Sequence, residues 1–259
     1  MKHLIFYFSL ILFHFITYSQ PNIHKITWIG ENNEYLSISK KKVFWQKGSE
    51  FQQFDIIKYS KNNYIILSQK EIRQKYNIAH LTNDTLILAL EGTDVFKLCE
   101  QNKEKQLVFT NSSISNYQFV EFYYEASFNN FNNPKNDKLK FIVYIDSAKN
   151  SRVVVKNESF NEGTMYTAPP SKVEYAKLLK ILSSCDISGV PSEDIEIDKE
   201  SLYQMLEISY NGQIKKIMGF NRLPFNFADN LAEFVCDYIE LRVNINMPFG
   251  WRAVISRQN

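Results

Sequence analysis

From about Glu34 to Thr110 the chain is cut into short runs of apolar and β-branched residues separated by polar turns, a spacing that predicts strands and leaves no room for helices. Strands are predicted at Tyr35–Ser39, Lys42–Gln46, Phe54–Tyr59, Tyr64–Ser68, Tyr76–Leu81, Thr85–Leu90, Val95–Cys99 and Gln106–Phe109. Lys47-Gly48-Ser49, Lys61-Asn62-Asn63, Asn83-Asp84 and Gly92-Thr93-Asp94 supply residues that tolerate tight hairpin backbones. Leu86, Leu88 and Leu90 fall on one face, as do Phe96 and Leu98, so one side of the sheet should be buried. Many short strands of even length point to a small closed or half-closed antiparallel barrel.

The pattern changes near Asn111. Ile114 to Ala126 reads as one long strand, with Val120, Phe122, Tyr124 and Ala126 on one face and Glu121, Tyr123 and Glu125 on the other. Leu139, Phe141, Val143 and Ile145 alternate in a second strand that should pair with it, and Arg152–Lys156 and Gly163–Thr167 add two more. Ser171-Lys172-Val173-Glu174 is a capping box, in which the serine hydroxyl and the glutamate carboxylate each satisfy the other's backbone amide. It opens a helix to about Ser184 with Tyr175, Leu178, Leu179, Leu182 and Cys185 as its apolar stripe. Leu206–Tyr210, Asn211-Gly212 and Gln213–Met218 predict a two-residue hairpin, because Asn-Gly accepts positive φ at both central positions; its register sets Glu207 opposite Lys216. A last helix from about Phe227 to Arg242 carries Leu231, Phe234, Val235, Tyr238 and Leu241 on one side, and the bulky tail Met247–Trp251 is expected to dock on the body.

The fold class is therefore α+β: an antiparallel barrel-like domain over residues 22–110, then an antiparallel sheet with two helices on one face over residues 111–259. Trp28-Ile29-Gly30, Phe54-Asp55-Ile56-Ile57 and Leu81–Leu88 make the first part resemble the small lipocalin-like domains of secreted Gram-negative proteins, although their long mouth loops are not evident. The second part resembles a family of unknown function in secreted bacterial proteins. The resemblance rests on the Phe141–Asp146 strand, the Gly163-Thr164-Met165-Tyr166 turn, the Glu174-Tyr175 helix and the Asn211-Gly212 hairpin. These likenesses imply fold and compartment and assign no ligand.

Residues 1–19 bear on compartment. Lys2, an apolar run from Leu4 to Ile16 and a closing Ser19 are the parts of a cleavable export signal, and the run is too short to span a bilayer. No later apolar stretch reaches the ~20 residues of a membrane helix. Cleavage removes Lys2 from 30 basic and 28 acidic residues and leaves a net charge of +1, which argues against nucleic acid as a partner. In an oxidising compartment Cys185 and Cys236, each on a helix of the same domain, are the pair best placed to bridge; buried thiols are the other outcome.

Candidate chemistry is sparse. After cleavage only His24 and His80 remain as histidines, and no nucleophile elbow, phosphate loop, dinucleotide fingerprint or zinc-type cysteine pair occurs. No catalytic residue and no cofactor is assigned. Asp194, Glu196, Asp198 and Glu200 would project to one side of an extended chain as hard oxygen ligands for calcium, against the alternative of a solvated acidic edge. Export, missing catalytic motifs and 20 Phe with 15 Tyr together favour a non-catalytic protein that binds a protein, a glycan or an apolar ligand. One alternative is a hydrolase using carboxylates from Asp194–Glu200 or from the Glu121 and Glu125 face. Another is an envelope-structural or inhibitory partner of a second secreted protein.

Overall fold

The computed structural model describes residues 23–24, 26–31, 33–47, 50–60, 64–69, 72–91, 106–129, 138–157, 162–192 and 203–243. Eight strands form a closed antiparallel barrel: β1 (Thr27–Gly30), β2 (Glu34–Ile38), β3 (Lys42–Lys47), β4 (Glu50–Ser60), β5 (Tyr64–Gln69), β6 (Ile72–Leu81), β7 (Thr85–Glu91) and β8 (Gln106–Asn111). Each strand pairs with its neighbour in sequence, and β1 closes the ring on β8 with Trp28 opposite Asn111 and Gly30 opposite Phe109. Gly30 lets that closure be tight, because a Cβ there would lie 3.3 Å from the Phe109 ring and push it aside by a few tenths of an ångström. Alternate residues fill the interior with Trp28, Leu36, Ile38, Val43, Phe54, Ile65, Leu67, Ile78, Leu86, Leu88 and Phe109. The expected Val95–Cys99 strand lies outside the described residues, as do the export segment 1–19, the acidic run 193–200 and the tail 244–259. Among the described residues no helix is long and apolar enough to cross a membrane.

The chain then builds a six-stranded antiparallel sheet in the order β12-β11-β10-β9-β13-β14, from β9 (Phe119–Asn129), β10 (Lys138–Asp146), β11 (Ser151–Asn157), β12 (Glu162–Tyr166), β13 (Tyr203–Tyr210) and β14 (Gln213–Met218). Helices α1 (Lys172–Leu182) and α2 (Phe225–Val243) share one buried cluster with alternate residues of the sheet: Phe122, Tyr124 and Ala126; Phe141, Val143 and Ile145; Leu206, Ile208 and Tyr210. Both helices thus cover the same face. The protein is mostly β, so α+β describes it only loosely.

The local sequence signals account for much of this module. The Asn211-Gly212 turn has φ of 47° and 74°, and Glu207 pairs with Lys216 across the hairpin at 3.3 Å. The capping box is closed, with the Glu174 amide donating to Ser171 Oγ at 3.2 Å and the Ser171 amide donating to Glu174 Oε2 at 2.7 Å. Three expectations need correction. β9 begins at Phe119 rather than Ile114, since Ser115 and Asn116 turn the chain, and Val120 at the strand end is 49% exposed, next to an irregularity where β13 pairs with β9. Ile181 rather than Leu179 completes the buried stripe of α1. Leu241 is 72% exposed, because helical rotation carries it past the arc that holds Phe234, Tyr238 and Ile239 against the sheet. Cys185 and Cys236 are buried and not bridged to each other, and burial pushes the Cys185 thiol up to about 12.

Glu174 also ties the start of α1 to the end of α2. The Arg242 guanidinium donates to both of its oxygens at 2.8 and 3.3 Å, and this pairing, with the Ser171 amide, outweighs burial and holds the carboxyl down at about 2 against an ordinary 4.5. A carboxyl depressed by folding contributes stability that is complete above its ordinary value and is lost as pH falls toward the folded one. Glu174→Gln, which keeps the cap and removes the charge, should therefore melt several degrees below wild type at neutral pH. Thermal denaturation should show that gap closing as pH falls from about 4.5 to about 2; a gap independent of pH would contradict the assignment.

Candidate functional site

The strands of a closed barrel place alternate side chains inside, so the residues at one end of each strand meet whatever their distance in sequence. At the end where β2 begins and β3 stops, the described residues leave part of the interior open. A cavity of about 320 Å³ opens there, lined by Glu34, Trp45, Lys47, Glu50, Gln52, Tyr76, Leu90 and Leu107. Most are in step with the core: Glu34 with Leu36 and Ile38, Trp45 with Val43, Gln52 with Phe54, Tyr76 with Ile78, Leu90 with Leu88, and Leu107 with Phe109. The cup is the barrel core continued to its mouth, with polar residues substituted at the last inward positions.

Its floor is aromatic and aliphatic. Trp45 meets the Phe109 ring edge-on, with centroids 5.8 Å apart, and Phe109 belongs with Leu86 and Trp28 to the buried core of the barrel. Tyr76 donates its hydroxyl to Gln74 Oε1 at 2.8 Å, and burial pushes its ionisation upward, so it stays a neutral phenol. The rim is charged. Glu34 is fixed by two donors, the Trp45 indole N–H at 3.0 Å on one oxygen and the Lys47 ammonium at 3.0 Å on the other. The two ends of that ion pair differ in freedom: the Lys47 side chain is 61% exposed and that of Glu34 15%.

The same two strands are buried from outside as well. Tyr35 alternates with Glu34 and Leu36 and belongs to the core of the second module; its hydroxyl donates to the Asp186 carbonyl at 2.8 Å and accepts from the Gly189 amide. Burial pushes the phenol upward, with the nearby Cys185 and Asp186 adding to the effect, so it remains un-ionised. Gly189 is demanded by this contact, since a Cβ there would fall 2.7 Å from Asn33 Cβ and 3.0 Å from Tyr35 Oη. On β3, Phe44 stacks on Phe225 of α2 with centroids 3.6 Å apart, and Gln46 Nε2 donates to the Arg222 carbonyl at 2.7 Å. Residues 183–190 are further fixed by the Ser183 carbonyl, which accepts from the Ile114 amide at 2.8 Å, and by Lys215, which donates to the carbonyls of Ser188 and Val190 at 2.7 and 3.1 Å.

The residues singled out by sequence fall elsewhere. Asp194, Glu196, Asp198 and Glu200 lie outside the described residues, and among the described residues no group of three or more His, Cys, Asp or Glu side chains converges. His80 is exposed on β6, and neither it nor His24 lines the cup. Glu121 and Glu125 share the face of the second sheet opposite the helices, but four residues along one strand separate them by about 13 Å, too far for a cooperating pair. Glu125 is also fully engaged: it takes the hydroxyls of Tyr123 and Tyr203 and pairs with the Lys140 ammonium. Burial pushes its carboxyl up, and those donors outweigh burial and hold it below its ordinary value, so it does not serve as an acid at neutral pH.

None of the cup residues was identified by motif. One trace of them in the sequence is parity: Glu34 and Gln52 occupy positions that alternation assigns to the core. Searches of protein-family models, of curated proteins and of solved structures returned no match to this chain.

Proposed function

We propose that this chain is an exported, non-catalytic binding protein that takes a small amphipathic molecule in the mouth of its barrel. The cup carries the proposal. Binding cavities for small molecules occupy about 300–1,000 Å³, and the 320 Å³ space, lined by Trp45, Tyr76, Leu90 and Leu107 on one hand and by Glu34, Lys47, Glu50 and Gln52 on the other, lies at the small end of that range. An apolar floor and a charged rim favour a ligand with one greasy and one polar end. The second module supports the cup from behind, since Tyr35, Phe44 and Gln46 hold the wall that contributes Glu34, Trp45 and Lys47. Rigid support of this kind lowers the ordering cost of binding.

Filling the cup is the direct test. Leu107 borders the cavity at the start of β8 and is only partly buried, so Leu107→Trp should occupy the space while leaving the unliganded melting temperature within a few degrees of wild type. Small amphipathic compounds that raise the melting temperature of wild type should not raise that of the variant. Equal stabilisation of both proteins would place the ligand elsewhere. Export is checked separately by the intact mass of the protein recovered from its native host: a chain beginning at Gln20 is expected, and one retaining Met1 contradicts it.

A further inference from the structure

We infer that the ligand of the cup is a small organic cation, a protonated amine or quaternary ammonium on a compact apolar body. This rests on the cup being a ligand site, as proposed above, and goes further by naming the charge it selects.

Among the described residues the rim carries Glu34 and Glu50 against Lys47, one net negative charge over an aromatic floor. Glu34 is a prepared acceptor. The Trp45 indole N–H holds one carboxylate oxygen, and the other already receives an ammonium, that of Lys47, at 3.0 Å. That ammonium belongs to a flexible, largely exposed side chain, and an exposed ion pair of this kind contributes little and is readily exchanged. Lys47 therefore stands where the cationic end of a ligand would stand. A ligand ammonium that displaced it would keep the contact to Glu34, gain Glu50, and lie near the rings of Trp45 and Tyr76, whose faces attract cations. The displaced Lys47 would return to water at small cost. An anionic ligand fares worse on every count. Among the described residues of the rim it meets two carboxylates, and Lys47 is already paired with Glu34.

The test uses the full chain and three probes with the same body: 3-phenylpropylamine, 3-phenylpropanol and 3-phenylpropionate, titrated by calorimetry at low salt. The amine should bind about tenfold more tightly than the alcohol, the scale of a partly desolvated cation contact, and the acid most weakly. Glu34→Gln retains an acceptor for the Trp45 N–H and should bring the amine down to the affinity of the alcohol, leaving the alcohol unchanged. Lys47→Gln removes the competing ammonium and should tighten the amine. Three equal affinities, or an acid that binds best and weakens in Lys47→Gln, would overturn the cation assignment while the cup remained a binding site. Absence of binding by all three, in wild type and Leu107→Trp alike, would overturn the cup itself.

Discussion

The structure turns on a barrel wall buried from both sides. In β2 and β3 the inward residues Leu36, Ile38 and Val43 pack the barrel, while the outward residues Tyr35, Phe44 and Gln46 pack the second module. Burying an aromatic or aliphatic side chain contributes about 1.5–3 kcal/mol, and Phe44 and Tyr35 obtain that on the outer face without borrowing from the barrel core. Two of the polar groups brought along find partners there: the Tyr35 phenol donates to the Asp186 carbonyl, and Gln46 Nε2 donates to the Arg222 carbonyl. A hairpin fixed on its outer face presents its inner face in one arrangement. Glu34, Trp45 and Lys47 are thereby held in register as one side of the cup.

The second module is built to be a firm backing. Its sheet and two helices share one continuous core from Phe122 to Val243. The connection from the barrel is stitched at both ends, Ser112 donating to the Thr27 carbonyl at 2.7 Å and the Ile114 amide to the Ser183 carbonyl at 2.8 Å. Its ionisable groups do structural work. Arg242 and Glu174 join the two helices, Glu125 is enclosed by Tyr123, Tyr203 and Lys140, and the Cys185 thiol stays protonated in its buried place. The 320 Å³ cavity with charged lining residues lies at the barrel mouth instead.

What could be read from the sequence was what local physics decides. The Asn-Gly hairpin with its Glu207–Lys216 pair, the Ser171 capping box, the alternation of Phe141, Val143 and Ile145, and the short strands of a barrel all follow from contacts within a few residues or between adjacent strands. The cup could not be read in the same way, because Glu34, Trp45, Tyr76, Leu90 and Leu107 come from five strands and meet only when β1 closes on β8. Two signals pointed to it without naming it. Glu34 and Gln52 are polar at inward positions, and Tyr35-Leu36-Ser37-Ile38 with Val43-Phe44-Trp45 place large side chains on both faces, the mark of a strand covered twice. Leu241 and Val120 show the reverse error: periodicity assigned them to the core, but Leu241 lies just past the arc of α2 that faces the sheet, and Val120 sits at the irregularity where β13 pairs with β9.

The shared wall is tested most directly by hydrogen exchange on the full chain with Phe44→Ala, which removes the stack on Phe225 and leaves every inward residue of the barrel in place. Amides of Glu34–Lys47 should exchange faster together with those of residues 183–190 and the start of α2, and the cup should bind its probes more weakly although no cup residue has changed. Faster exchange confined to α2, with β2, β3 and probe affinity as in wild type, would show that the barrel holds its mouth without the second module and would contradict the account.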